Sequence, residues 1–296
     1  MKTAVIGLGL IGGSMAMDLR KAGFATRLVG VDKSSAHSAR ALERGLVDEI
    51  ADLDDAVAHA ELVITAIPVN AIKSVVLKVL NGISESAIVI DTGSTKSQIC
   101  RAIEHHPKRR QFIAAHPLAG TENSGPDAAF NGLFSQKTNI ICEKERSSDV
   151  ALTIADEIFA ALGMRTIFMD PVEHDKHVAY VSHLSHVSAF LLGQTVLDIE
   201  RDEKNIFNLA GSGFASTVRL AKSSPDMWAP IFEQNAEYLS QALSEYIMHL
   251  QKFHYHLMKR DTKELHRIMT SANHIRKVLE GMDGKQKPNQ LVENKS

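Results

Sequence analysis

Cysteine is scarce: Cys100 and Cys142 are the only two in 296 residues, far apart and without a CxxC spacing. They supply no disulfide framework and no paired-thiol motif, and a reducing cytosol is the expected compartment. Charge of one sign is also missing. Thirty-three Lys and Arg face 35 Asp and Glu, for a formal net charge of -2, which gives no electrostatic case for nucleic acid or an anionic membrane. No apolar run approaches the roughly 18 residues of a membrane span, no HExxH is present, and no internal repeat is visible. The remaining composition, 44% hydrophobic and 23% charged, is that of an ordinary globular chain of about two domains.

What is present is concentrated between Lys2 and Asp32. Thr3-Ala4-Val5-Ile6 reads as a buried strand, followed at once by Gly7-Leu8-Gly9-Leu10-Ile11-Gly12. Ile11, Met15, Leu19 and Ala22 then recur at helical spacing until Gly23, and Leu28-Val29-Gly30-Val31 forms a second strand ending at Asp32. In a dinucleotide site, Gly7 allows the tight turn, Gly9 lets backbone approach a pyrophosphate, and Gly12 lets helix and strand pack closely. The free N–H groups at the helix start, around Leu10 and Ile11, face the phosphates. Asp32 accepts hydrogen bonds from the ribose hydroxyls of NAD and repels a 2′-phosphate, although Lys33 and Ser34 leave NADP open. The strand, the helix and the spaced acid together favour NAD binding over a glycine-rich turn of no function. The start, Met1-Lys2 with apolar residues to Gly13, superficially resembles a signal peptide. Cleavage would delete the phosphate turn, so export is rejected.

Short apolar runs alternate with helical stretches through the first half, which predicts an α/β architecture with a mostly parallel sheet. After the opening unit come Leu62–Ile67 ending at Pro68, Ala87–Ile90 ending at Asp91, and Phe112–Ala115 ending at His116. Asn139–Cys142 and Thr166–Phe168 flank a helix expected from about Asp149 to Leu162. Beyond Met169 only the 3.6-residue period remains, to about Met282. The expected organisation is a Rossmann-type dinucleotide-binding domain over 1–169, an all-helical domain over 170–283 whose surplus apolar residues suit a subunit interface, and a disordered tail over 284–296.

Ligands bind outside the carboxyl ends of strands in such sheets, so Pro68, Asp91-Thr92-Gly93-Ser94-Thr95-Lys96 and His116-Pro117 share one edge. Pro68 is assigned to the cofactor side. Pro117 biases His116 to extended backbone. A neutral histidine there can take a proton in a bond-breaking step, worth about 10²–10⁴ in rate; the alternative is a loop histidine with a structural hydrogen bond. Ser94 or Thr95 can act on substrate, or simply cap a helix beginning near Lys96. In the helical half, His174-Asp175-Lys176-His177 precedes Tyr180 to His186 on what reads as one helix. His183 and His186 share a face. Two histidines alone are a poor zinc site, so no metal is expected, and substrate or cofactor contact competes with a partly buried helix face. Gly211-Ser212-Gly213 enters a helix expected to carry Thr217, Arg219 and Lys222. Arg219 can grip a carboxylate or sit in a surface salt bridge.

Taken together, these segments resemble the prephenate dehydrogenase family, which includes arogenate dehydrogenases. The resemblance rests on Gly7–Ser14, Asp91–Lys96, His116–Glu122, Ser182–His186, and Gly213-Phe214 to Arg219 with Met227-Trp228, in that order along nearly the whole chain to about Met282. It implies a nucleotide-binding domain followed by a helical domain that forms a homodimer. It implies that His116 is the catalytic base and that Ser94 orients it or the substrate hydroxyl. Arg219 holds a substrate carboxylate, Ser182, His183 and His186 line the pocket, and Thr121 and Glu122 lie in a loop closing over it. The implied reaction is NAD-dependent oxidation of prephenate with loss of CO2 to 4-hydroxyphenylpyruvate, in tyrosine biosynthesis.

Two departures stand out. Ser185 replaces a frequent proline, and Ala215-Ser216 replaces a basic–acidic pair, which leaves Arg219 without its usual acid. Arogenate is the nearest alternative substrate. Other hydroxyacid dehydrogenases or imine reductases with a helical second domain rely on a lysine with no counterpart here, and a non-catalytic NAD(H) sensor would be indifferent to His116.

Overall fold

A computed structural model describes residues 1–202 and 205–285. Eight strands form one sheet: β1 (Lys2–Ile6), β2 (Arg27–Val31), β3 (Glu49–Ile50), β4 (Leu62–Thr65), β5 (Ile88–Asp91), β6 (Phe112–Pro117), β7 (Thr138–Cys142) and β8 (Arg165–Met169). Their order is β3-β2-β1-β4-β5-β6-β7-β8. All neighbours are parallel except β6 and β7, which run antiparallel with His116 opposite Ile140. Six helices accompany the strands: α1 (Leu10–Lys21), α2 (Ser35–Glu43), α3 (Leu53–Ala58), α4 (Val69–Gly82), α5 (Ser97–Ala102) and α6 (Asp149–Ala161). The expected helix at Asp149 is found, begun by Ser148, whose hydroxyl accepts the Ala151 N–H at 3.2 Å.

Strand alternation builds two cores. Val5, Ile64, Ile90 and Ile141 point to one face with Leu19 and Phe159; Ala4, Val63, Val89 and Phe112 point to the other with Val76, Trp228 and Ile231. Each buried Val, Ile, Leu or Phe contributes roughly 1.5–3 kcal/mol. The sheet is therefore a rigid platform for whatever its edge carries.

Beyond Met169 the described residues form no further strand. The helices are α7 (Pro171–Val178), α8 (Leu184–Asp202), α9 (Ser212–Thr217), α10 (Pro225–Gln234), α11 (Ala236–Met258), α12 (Thr262–Ala272) and α13 (Ile275–Lys285). Asp170 starts α7 by accepting the Val172 N–H at 2.7 Å, with proline in the first turn. The expected single helix from His174 to His186 is not uniform: residues Ala179–His183 form a π turn between α7 and α8. Arg219 and Lys222 were expected on the helix entered by Gly211–Gly213. That helix stops at Thr217, whose hydroxyl bonds back to Gly213 O at 2.9 Å, and both residues lie on a 3-10 turn, Arg219–Lys222.

The chain divides into two compact units, Met1–Leu239 and Ser240 onward. The second leaves Met248, Leu250, Leu257, Met258 and Val278 exposed. The expected tail over 284–296 lies outside the described residues, except that α13 includes Gly284 and Lys285. Among the described residues no helix is long and apolar enough to cross a membrane.

Candidate active site

The glycine turn is built as its residues require. Gly7 has φ +94° and a β-carbon there would overlap the Ala66 carbonyl; one on Gly12 would overlap Gly7 O. Both positions are closed by packing. Above Gly9 the space is open, its nearest neighbour being Gly125 N at 4.0 Å from where a β-carbon would stand. That is the room a pyrophosphate needs beside the first amides of α1, a helix whose first turn carries no acidic side chain to compete. Asp32 accepts the Leu8 N–H and the Ser34 N–H, each at 2.9 Å, one on each carboxylate oxygen. The two bonds fix the carboxylate at the end of β2, and each oxygen keeps a lone pair for a ribose hydroxyl. Pro68 is exposed at the start of α4. These residues fit a dinucleotide.

Next along the same edge, β5 ends in Asp91 and leads to Lys96, whose side chain is fully buried. Its ammonium pairs with the Asp91 carboxylate and donates to Ala115 O at 2.6 Å. This bond ties the 91–96 loop, with half-buried Ser94, to the residue preceding His116. Neither Ser94 nor Thr95 caps the following helix, contrary to one sequence expectation. Thr95 Oγ1 donates to Gln234 Oε1 at 2.7 Å, and Gln234 Nε2 donates to Val69 O at 2.7 Å. The cap comes from the helical segment: Asp175 accepts the Lys96 N–H at 2.8 Å and the Ser97 N–H at 2.9 Å.

The same carboxylate begins a chain of imidazoles. Asp175 Oδ1 lies 2.8 Å from His174 Nδ1, and His174 Nε2 lies 2.8 Å from His116 Nδ1. A carboxylate only accepts, so His174 Nδ1 carries a proton and its Nε2 does not. His116 Nδ1 must then donate, which leaves the His116 Nε2 lone pair unspent. The tautomers follow from the bonding chain. Electrostatics keep the rings neutral. Burial first, then repulsion from a proton on His174, from Lys96 and from a proton on His183, holds His116 well below the usual histidine value. His174 is lowered by burial in spite of Asp175. Burial pushes Asp175 up, but the bonds from His174 and Ser97 outweigh it and its carboxyl lies below its ordinary value.

His183, expected to line the pocket, is only 1% exposed. Its Nδ1 faces Asn235 Nδ2 at 3.1 Å, while that amide also donates to Asp175 O at 2.7 Å. Burial lowers His183 to about 4. His186 stacks on Trp228, ring centroids 3.5 Å apart, and donates through Nδ1 to the Ser182 carbonyl at 3.1 Å. Trp228 Nε1 is buried without a hydrogen-bond partner. Thr121 Oγ1 accepts the Asn123 N–H at 3.2 Å and so shapes its own loop. Arg219, expected to lack an acid at Ser216, finds one elsewhere: its Nη1 lies 3.1 Å from Glu122 Oε2, with the arginine side chain 51% exposed. The sequence places His174 and Asp175 in a polar run but gives them no role; their contact with His116 is what it does not show. The readable signal is a histidine and an acid one turn inside a helix that Asp170-Pro171 starts.

Three neutral histidines, His174 and His183 buried and His116 half-buried, carry a consequence for stability. The unfolded chain protonates them below about pH 6.5, whereas the native state takes the proton only at lower pH, about 4 for His183. Stability from these groups is fully present above about pH 6.5 and is lost as pH falls toward about 4. Urea midpoints should therefore drop between pH 7 and pH 4.5, and a flat profile would contradict the neutral assignment.

Comparison with known proteins agrees with this architecture. The family profile described as "Prephenate dehydrogenase, nucleotide-binding domain" matches residues 15–168, and "Prephenate dehydrogenase, dimerization domain" matches residues 170–271. The prephenate dehydrogenase of Bacillus subtilis is 32% identical over 94% of this chain and 76% of its own. A crystal structure of prephenate dehydrogenase from A. aeolicus, in complex with hydroxyphenyl propionate and NAD+, superposes with TM-score 0.85 at 28% identity, covering 94% of this chain and 98% of that one. Synechocystis arogenate dehydrogenase superposes with TM-score 0.73 at 30% identity, covering 94% and 100%. A nucleotide-binding sheet with an imidazole at its carboxyl edge, followed by helices matching the second profile, leaves one assignment: the chain belongs to the prephenate dehydrogenase family.

Proposed function

We propose that this protein is an NAD-dependent prephenate dehydrogenase, forming 4-hydroxyphenylpyruvate and CO2 as a step of tyrosine biosynthesis. The observation that carries the reading is the unspent His116 Nε2 lone pair at the sheet edge that also presents the glycine turn. Gly7, Gly9, Gly12, the amides of Leu10 and Ile11, Asp32 and Pro68 hold NAD, and Asp32 favours it over NADP. NAD, when bound, accepts the hydride from the ring carbon.

His116 Nε2 takes the proton from the ring hydroxyl, with Ser94 orienting the hydroxyl, while the Nδ1 bond to His174 stops the imidazole from rotating. The oxidised ring is a vinylogous β-keto acid. Its carboxylate leaves as CO2, the electron pair completes the aromatic ring, and His116 returns its proton to the phenolate. Arg219 anchors a substrate carboxylate, and Ser182, His183, His186 and Thr121 surround the ring, His183 through its packing under Trp228. The exposed apolar residues beyond Ser240 fit the dimerisation role of the helical segment, and the low cysteine content fits the cytoplasm.

Arogenate is the second reading, favoured by the likeness to the Synechocystis enzyme; it would give tyrosine by the same steps. NADH formation at saturating NAD with prephenate, arogenate and simple hydroxyacids decides the matter. Turnover of prephenate is the expected result, and inactivity with both cyclohexadienyl substrates would end the proposal. Arg219→Ala should raise KM for prephenate by about 10–100-fold, the worth of a charge-assisted bond, with a smaller effect on kcat.

A further inference from the structure

The loop that follows His116 does not lean on the sheet alone. Residues 123–130 cross to the nucleotide half, where α1 and α2 hold them. Arg44, at the end of α2, donates to the carbonyls of Pro126 and Ala129, the latter at 3.0 Å. Arg40 Nε meets Asp127 Oδ1 at 2.6 Å. From α1, buried Ser14 accepts the Phe130 N–H at 3.0 Å and Asp18 accepts the Gly132 N–H at 3.0 Å. The approach is close: a β-carbon on Gly13 would come within 2.8 Å of Ala129 Cβ.

What this strap passes over is the open space above the phosphate turn. Gly125, at φ +81°, places its N 4.0 Å from where a β-carbon on Gly9 would stand, and a β-carbon on Gly125 would stand 3.8 Å from His37 Nε2. His37 Nδ1 in turn lies 3.7 Å from Asp32 Oδ1. Gly9, Asp32 and His37 thus ring one groove, and the strap is its far side. Four anchors on a connecting loop exceed what chain closure needs, and none of them reaches the helical segment.

We infer that residues 123–130 form the outer wall of the dinucleotide groove at its adenosine and pyrophosphate end, and that Arg44 and the Arg40–Asp127 pair are positioning residues for the cofactor. The inference rests on the NAD site proposed above and adds the residues that set its affinity. Arg44→Met keeps the side-chain stem and removes both carbonyl contacts; Asp127→Asn, on an exposed side chain, weakens only the second anchor.

The test measures NADH binding by nicotinamide fluorescence, ADP-ribose by competition, and amide hydrogen exchange of residues 123–130 with and without ADP-ribose. Arg44→Met should weaken NADH and ADP-ribose equally, by about tenfold, because the two lost bonds hold the loop and act on the cofactor only through its position, and Asp127→Asn by about threefold. In turnover the loss should fall on KM for NAD more than on kcat, and ADP-ribose should slow exchange across 123–130 in the unaltered protein. ADP-ribose affinity unchanged in a folded Arg44→Met protein, or no protection of 123–130, overturns the inference. Failure of the unaltered protein to bind NADH at all would instead overturn the NAD site on which it rests.

Discussion

Replacing His116 by asparagine should lower kcat by about 10²–10⁴, the usual worth of a positioned general base. The substitution is chosen because an asparagine amide can still donate to His174 Nε2, in place of the Nδ1–H that His116 supplies at 2.8 Å. The buried relay therefore keeps its bonding, and what disappears is the lone pair aimed outward. Binding should change little, because the anchoring charge belongs to Arg219. Wild-type kcat/KM should fall only on the acid side of about pH 6.5, since burial and neighbouring positive charge hold His116 well below the usual value. Steady-state kinetics with prephenate from pH 5 to 8 check both statements. Unimpaired turnover by the Asn variant would remove His116 from the chemistry.

The second large effect concerns folding. Asp91→Asn should destabilise the protein by about 3–5 kcal/mol, because it leaves a buried ammonium without its counter-charge. Lys96 and Asp91 are both wholly inaccessible. The replacement amide keeps an oxygen for the Gly93 N–H, which Asp91 Oδ1 accepts at 2.9 Å, so the loss isolates the charge. Against a total stability of about 5–15 kcal/mol, that is enough to move a urea midpoint far to the left. A midpoint within experimental error of wild type would mean that the pair has another source of compensation.

Legibility in the sequence divides along the length of the contacts. The glycine turn, Asp32 and the strand ends at Asp91 and His116 can be read because each is local, a few residues of pattern beside a strand. The dinucleotide fold follows from these. Two-residue β3 is too short for alternation to show, and so it escapes a reading of the sequence. His174 meets His116 across 58 residues of sequence, and Glu122 meets Arg219 across 97; only packing of the helical segment on the sheet edge creates either pair. Asp175 illustrates the same limit. Nothing near Lys96 announces that the cap of α5 is donated from another part of the chain.

The reversal of β7 has a geometric effect. A parallel continuation after β6 would have required a crossover, carrying the chain behind the sheet before it came back. Antiparallel pairing of Pro117 with Asn139 instead lets residues 118–137 leave and re-enter at one end of the sheet, the end where Arg44, Ser14 and Asp18 hold the middle of the excursion. One flipped strand thereby turns a mere connector into architecture. Lengthening or trimming it can reshape what the enzyme admits while every hydrogen bond of the sheet stays in place.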